Sequence, residues 1–165
     1  MQKAIDAIDY VLTRFLILLM ALIVLAVTWQ VFTRFIIKDP SSFTEELARF
    51  LLIWIGVLGA SYALRTRSHL GIDLITERVG QRGKMILQLF IYTIIILFAT
   101  AVLIVGGIRL VELTFSLNQI SAALGIKMGY VYTVLPLSGV LMVVYSLNFI
   151  WETITDSPPK TEGEG

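Results

Sequence analysis

The sequence predicts an all-α integral membrane protein: four transmembrane helices, with a short interfacial amphipathic helix in the loop between helices 2 and 3. Three observations lead there. The 165 residues are 57% hydrophobic and only 15% charged, too apolar for an ordinary soluble domain. Four long stretches lack strong charge, each closed by charges or turn residues. Trp and Tyr gather at the ends of these stretches, where aromatic rings settle at headgroup level. The spans are expected at about 12–34, 43–65, 85–109 and 129–151, in a single membrane domain of residues 1–152, with 153–165 a disordered tail.

In the first span, Ile5, Ile8, Val11 and Leu12 recur at helical spacing, with Lys3, Asp6 and Asp9 on the other side. The helix is expected to begin at the membrane surface and to enter it after Arg14. Residues 15–33 are uncharged and Trp29 lies near their far end. The run is too long for the core of a signal peptide and no small-x-small cleavage pattern follows, so it reads as a retained anchor. Arg34 and Lys38 close it, and Asp39-Pro40-Ser41 makes a short turn.

The second span opens on Ser42, with Glu45 three residues later in a capping-box pattern. Residues 50–64 carry no charge, and adding Phe43, Leu47 and Ala48 gives enough length to cross about 30 Å. At roughly 100° per residue, Glu45, Arg49, Leu52, Gly56, Gly59, Ala60 and Ala63 share one face, opposite Trp54. Small residues let other helices approach closely, so this face is expected to pack. Glu45 and Arg49 form an i,i+4 pair of the favourable polarity.

The loop after Leu64 is the most basic part of the chain, with Arg65, Arg67, Arg78, Arg82 and Lys84. Leu70, Ile72, Ile75 and Val79 form an apolar stripe in it, which suits a short helix anchored on anionic headgroups of membrane lipids. His69 and Asp73 stand four apart and can pair. Residues 85–108 are uncharged and exceed the hydrocarbon thickness, so tilt or projection beyond it is expected, with Gly106 and Gly107 permitting close approach. Arg109 and Glu112 continue the same helix into the headgroups. A polar connector with Asn118, Gln119 and Ser121 leads to the fourth span, marked by Tyr130, Tyr132 and Trp151 at its ends. Pro136 is expected to bend it, with Gly139 adding freedom.

Composition and placement exclude several functions. The net charge of +1 suggests no nucleic-acid partner, and the absence of cysteine removes disulfides, thiolate metal sites and thiol nucleophiles. No catalytic constellation lies inside the spans, and the single His is in a loop, so neither an intramembrane enzyme nor a haem protein is expected. No metal or cofactor site is predicted. A self-sufficient four-helix proton-coupled transporter is the sharper rival, but it needs an ionisable group near the midplane, and every span is free of charge there. An internal repeat, common in carriers, is absent as well. With the termini and the basic loop on one side, that side holds eight of the 13 basic residues, which favours cytoplasmic termini. Arg34, Glu45, Glu46, Arg49, Arg109 and Glu112 then lie toward the outer face, where they could form an interhelix network.

The stretch TEELARFLLIWIGVLGASYALRTRSHLGID, with WQVFTRF at 29–35 and SAALGIKMGYVYTVLPLSG at 121–139, resembles the small membrane subunit of tripartite ATP-independent periplasmic (TRAP) transporters, the DctQ type. The matching positions are Glu45, Glu46, Arg49, Gly59, Ala60, Arg65, His69 and Asp73; Lys127 stands where relatives usually carry Pro. The resemblance spans about residues 5–151. It implies a scaffold subunit in a bacterial inner membrane, part of a secondary active, sodium-coupled symport of a carboxylate, sialic acid first and a C4-dicarboxylate second. It implies two protein partners, a large membrane subunit of the DctM type that holds the sodium and substrate sites, and a periplasmic substrate-binding protein. By the same resemblance Glu45, Glu46 and Arg49 are candidates for subunit contact or bundle locking, and His69 and Asp73 for ordering the cytoplasmic loop; the small-residue face and the rim charges add Gly56, Ala60, Arg34, Arg109 and Glu112 to the first group.

Overall fold

Six α-helices in a computed structural model account for the four expected spans, and no strand is formed among the described residues, which are 2–39, 41–66 and 81–155. The interfacial helix, His69, Asp73 and the tail from residue 156 lie outside the described residues. Helix α1 covers Gln2–Phe32 and runs on as a π-helical turn, Thr33–Ile37; α2 covers Ser42–Arg65. Helix α3 covers Gln81–Phe98 and continues through a π-helical segment, Ala99–Gly106, into α4, Gly107–Ser116. The last span is α5, Met128–Tyr132, followed by α6, Val134–Thr155. Four of the resulting continuous helices, Ile5–Ile37, Ser42–Arg65, Met85–Ser116 and Met128–Thr155, are long and apolar enough to cross a membrane, so this is a multi-pass membrane protein. The first and third contain 33 and 32 residues. At 1.5 Å per residue they are about 50 Å long and outrun a 30 Å hydrocarbon layer, so they tilt or project.

Helix α1 and the π-helical turn after it bury a seven-residue repeat, Ile5, Leu12, Leu19, Ala26 and Thr33, flanked by half-buried Ile8, Phe15, Leu16 and Ile23. That is the spacing of a coiled-coil seam, and the seam lies along α2. The chain then turns around Thr33. Its hydroxyl donates to the Gln30 carbonyl at 3.0 Å and accepts the Ser41 N–H at 3.4 Å, while Lys38 takes the left-handed conformation at φ 61°. The cap of α2 is Ser41, one residue earlier than expected. Its side chain accepts the Thr44 N–H, so Glu45 takes no part in capping.

The α6 helix crosses the π-helical segment at close range. A Cβ on Gly139 would lie 2.8 Å from Ile104 and 2.9 Å from Leu103, and one on Gly107 would lie 2.9 Å from Pro136. Hydrogen there is what lets the two helices touch. Pro136 acts as expected but upstream of itself. Its ring excludes the carbonyl four residues back, which belongs to Tyr132, and α5 ends at that residue. Lys127 caps α5 with φ −69° and ψ 126°, angles open to proline as well. The last helix continues to Thr155, beyond the boundary expected at 152. Asn148 donates to Glu152 at 2.7 Å and Thr153 to the Phe149 carbonyl at 2.7 Å, which hold that final turn.

Candidate docking face and the clamps behind it

The rotation of α2 about its own axis decides which of the predicted residues are available. Leu51, Leu58, Ser61 and Leu64 are buried and half-buried Trp54 joins them, its ring edge-on to Phe15 at 6.0 Å. The indole N–H donates to the Val131 carbonyl, 3.0 Å away at the end of α5. The small-residue face therefore points out of the bundle, on the side of α2 away from Trp54. Leu52 is 62% exposed, Gly56 and Ala60 are exposed, and a Cβ on Gly56 or Gly59 would meet nothing within 4 Å. The cause is contact area. Between helices in lipid, attraction comes from van der Waals packing and hydrogen bonds, and an indole with three leucines makes far more of both than glycine and alanine do.

The Glu45–Arg49 pair forms as expected, at 3.2 Å, on the rim of this outward face with both side chains more than half exposed. The wider network of six rim charges is not formed. Among the described residues the ion pairs are Glu45–Arg49 and Asp9–Arg65, while Arg34 at the end of the first span and Arg109 and Glu112, both on α4, are exposed. Gly56 and Ala60 are exposed on the same outward side, and a Cβ on Gly56 would meet nothing within 4 Å.

Glu46, by contrast, reaches across to another part of the chain. One of its carboxylate oxygens accepts the backbone N–H groups of Ala123 and Leu124 at 2.7 and 2.8 Å. It thereby ties the connector between the third and fourth spans to the first turns of α2. That connector is already compact, with Gly125 at φ +66° and main-chain bonds from Ser121 N–H to the Ile126 carbonyl and from Met128 N–H to the Gln119 carbonyl, both 2.9 Å. A carboxylate accepting two peptide N–H groups is a charge-assisted clamp of the stronger kind.

At the other end of α2 sits a second clamp that the sequence reading missed. Asp9 accepts from Arg65 Nε at 2.7 Å with one oxygen and from the Tyr145 hydroxyl at 2.7 Å with the other. One carboxylate thus joins α1, α2 and α6. Tyr145 is fully buried, and Arg65 also lies over the Phe149 ring, 5.8 Å from its centroid. A signal for Asp9 was present. It falls in register with Leu16 and Ile23 at seven-residue spacing, on the flank of the buried seam. Between the clamps the bundle uses neutral bonds: the Ser61 and Ser138 hydroxyls lie 2.7 Å apart, and Ser138 donates to the Val57 carbonyl at 2.9 Å. Glu46 and Arg65 are 19 positions apart, about 28 Å of helix, close to the thickness of the hydrocarbon layer. Charge is thus held near both ends of α2 and absent from residues 50–64 between them.

No group of three or more His, Asp or Glu side chains that could hold a metal occurs among the described residues. A family model described as "Tripartite ATP-independent periplasmic transporters, DctQ component" matches residues 23–156. The chain is 30% identical over 151 residues to the sialic acid TRAP transporter small permease protein SiaQ of Vibrio cholerae, covering 92% of this chain and 84% of that one. It is 29% identical over 119 residues to the sialic acid TRAP transporter permease protein SiaT of Haemophilus influenzae, covering 69% of this chain but 18% of that one. Likewise it is 31% identical over 136 residues to the isethionate TRAP transporter permease protein DctMQ of Oleidesulfovibrio alaskensis, covering 79% of this chain and 21% of that one.

Proposed function

Since this chain belongs to the DctQ family of TRAP transporter components, and is a transporter subunit and not an enzyme, we propose that it is the small permease subunit that braces a larger membrane partner during carboxylate import. The partner is a large permease of the DctM type, which carries the sodium and substrate sites. Two relatives support a partner of that size, because this chain aligns with only about a fifth of each. The observation that carries the reading is the outward face of α2. Its Glu45–Arg49 rim pair, Leu52, Gly56 and Ala60 are exposed beside a bundle already satisfied on its other side. A partner helix seats on that face, with small residues allowing close approach and the rim charges fixing depth. Arg34, Arg109 and Glu112 meet the partner's outer loops, and His69 and Asp73 order the basic loop. The connector clamped by Glu46 faces the periplasm beside the substrate-binding protein, and the termini are cytoplasmic in a bacterial inner membrane. The substrate is sialic acid first and a C4-dicarboxylate second, moved by sodium symport.

Affinity purification from membranes tests this. The wild-type chain retains a large multi-span permease, and Gly56→Leu or Ala60→Leu releases it, whereas equal bulk on exposed Val24 of α1 does not. Vesicles holding all three components take up sialic acid down a sodium gradient, and vesicles holding this chain alone take up nothing. Uptake by the chain alone would overturn the proposal in favour of a self-sufficient proton-coupled carrier.

A further inference from the structure

A cleft of about 710 Å³ opens between the N-terminal turns of α1 and the last turn of α2. Its lining carries two acids and two bases, Asp6, Asp9, Arg14 and Arg65. Asp9 and Arg65 neutralise each other at 2.7 Å, which leaves one carboxylate, Asp6, and one guanidinium, Arg14. Neither belongs to an ion pair among the described residues, and both are exposed. We propose that this cleft binds the headgroup of a phospholipid bearing a primary ammonium, with its phosphate on Arg14 and its ammonium on Asp6.

The order of the lining along α1 supports this ligand. Asp6 is outermost, Thr13 and Arg14 stand at the edge of the uncharged run, and Ile17 lies almost a turn deeper. A carboxylate, then a guanidinium beside a hydroxyl, then an aliphatic side chain repeats the depth order of ammonium, phosphate and acyl chain. The spacing fits as well. Asp6 and Arg14 are eight residues apart, about 12 Å along the axis. Side chains on a helix lean toward its N-terminus, and the Arg14 guanidinium does so, lying over the Tyr10 ring at 5.3 Å from the centroid. That sets the guanidinium near the level of Tyr10, four residues or about 6 Å of helix axis from Asp6, and the ring contact holds it in place. Arginine is also the side chain best matched to a phosphate. A phosphodiester with no cation would leave Asp6 unanswered and be repelled by it. A quaternary ammonium would offer Asp6 no N–H donor.

The test uses the full chain, delipidated and returned to micelles of equal parts phosphatidylethanolamine, phosphatidylcholine and phosphatidylglycerol, with retained lipid measured by native mass spectrometry. Phosphatidylethanolamine is expected to be retained over both others. Asp6→Asn should shrink its advantage over phosphatidylglycerol by about threefold, the scale of an exposed charge pair. Arg14→Gln should lower retention of all three lipids, and Arg14→Lys should restore part of it. Lys38→Gln, exposed beyond the other end of α1, should change nothing. Equal retention of the three lipids, or indifference to both Asp6→Asn and Arg14→Gln, would overturn the proposal. So would soluble phosphoethanolamine displacing the lipid at equal concentration, which would assign the cleft to a free phosphate ester.

Discussion

Replacing Asp9 by alanine removes one carboxylate and strands two groups on two other helices. The Arg65 guanidinium, whose side chain is 25% exposed, loses its ion partner, and the fully buried Tyr145 hydroxyl loses its acceptor. Each contact is 2.7 Å and charge-assisted, a class worth about 1.5–3 kcal/mol apiece in proteins. Two considerations reduce the sum. Interhelical hydrogen bonds in membranes average nearer 0.6 kcal/mol, up to about 1.7. Arg65 is also wet enough to recover some hydration. The stranded tyrosine works in the other direction, because a buried unpaired hydroxyl costs about 1–3 kcal/mol. The net expectation is a loss of about 2–4 kcal/mol, or a fall in Tm of about 5–15 °C for a chain of this size. Tryptophan fluorescence of the detergent-solubilised protein during heating measures it. A double-mutant cycle with Tyr145→Phe should show a coupling of about 1 kcal/mol. If Asp9→Ala melts within about a degree of wild type, or its effect simply adds to that of Tyr145→Phe, the three-helix clamp does not hold the bundle.

The same one-carbon change is expected to act in opposite directions at two glycines. Gly139→Ala drives a Cβ to 2.8 Å from Ile104 and 3.2 Å from the Ala99 carbonyl, and should cost about 1–3 kcal/mol in thermal unfolding. Gly56→Ala meets nothing within 4 Å and should stabilise the isolated chain by up to about 1 kcal/mol through helix propensity, readable in the same melt. Trp54→Phe keeps the ring against Phe15 but drops the bond to the Val131 carbonyl. It should cost about 1 kcal/mol, and wild-type stability in that variant would show the bond to be idle. Glu46→Ala releases the connector, so hydrogen exchange at the Ala123 and Leu124 amides should accelerate strongly, and Glu46→Gln should recover part of the protection.

Much of the molecule was legible in its order of residues. Runs without charge fix how many times the chain crosses, because an unpaired charge in hydrocarbon is too costly to be placed there by accident. Local spacing fixed the Glu45–Arg49 pair, since residues four apart on a helix are neighbours whatever the rest of the chain does. The same reasoning placed a bend near Pro136, where α5 stops at Tyr132. The acidic pair of the family-like stretch was also visible, but its two members do different work. Glu45 stays on its own helix, while Glu46 reaches main-chain groups 77 and 78 residues away.

What the sequence alone could not decide is rotation. A helix that is apolar nearly all round has no strong preference for which side turns inward, so periodicity names the faces of α2 without choosing between them. The choice falls to the neighbours: Phe15 and the Val131 carbonyl receive Trp54, Ser138 receives Ser61, and Asp9 receives Arg65. All of these are distant in sequence, and together they turn Gly56 and Ala60 outward. Crossing number and rim charge are properties of each segment in lipid and are set locally. The surface left for a partner is what remains after the segments have packed against one another, and only the assembled bundle determines it.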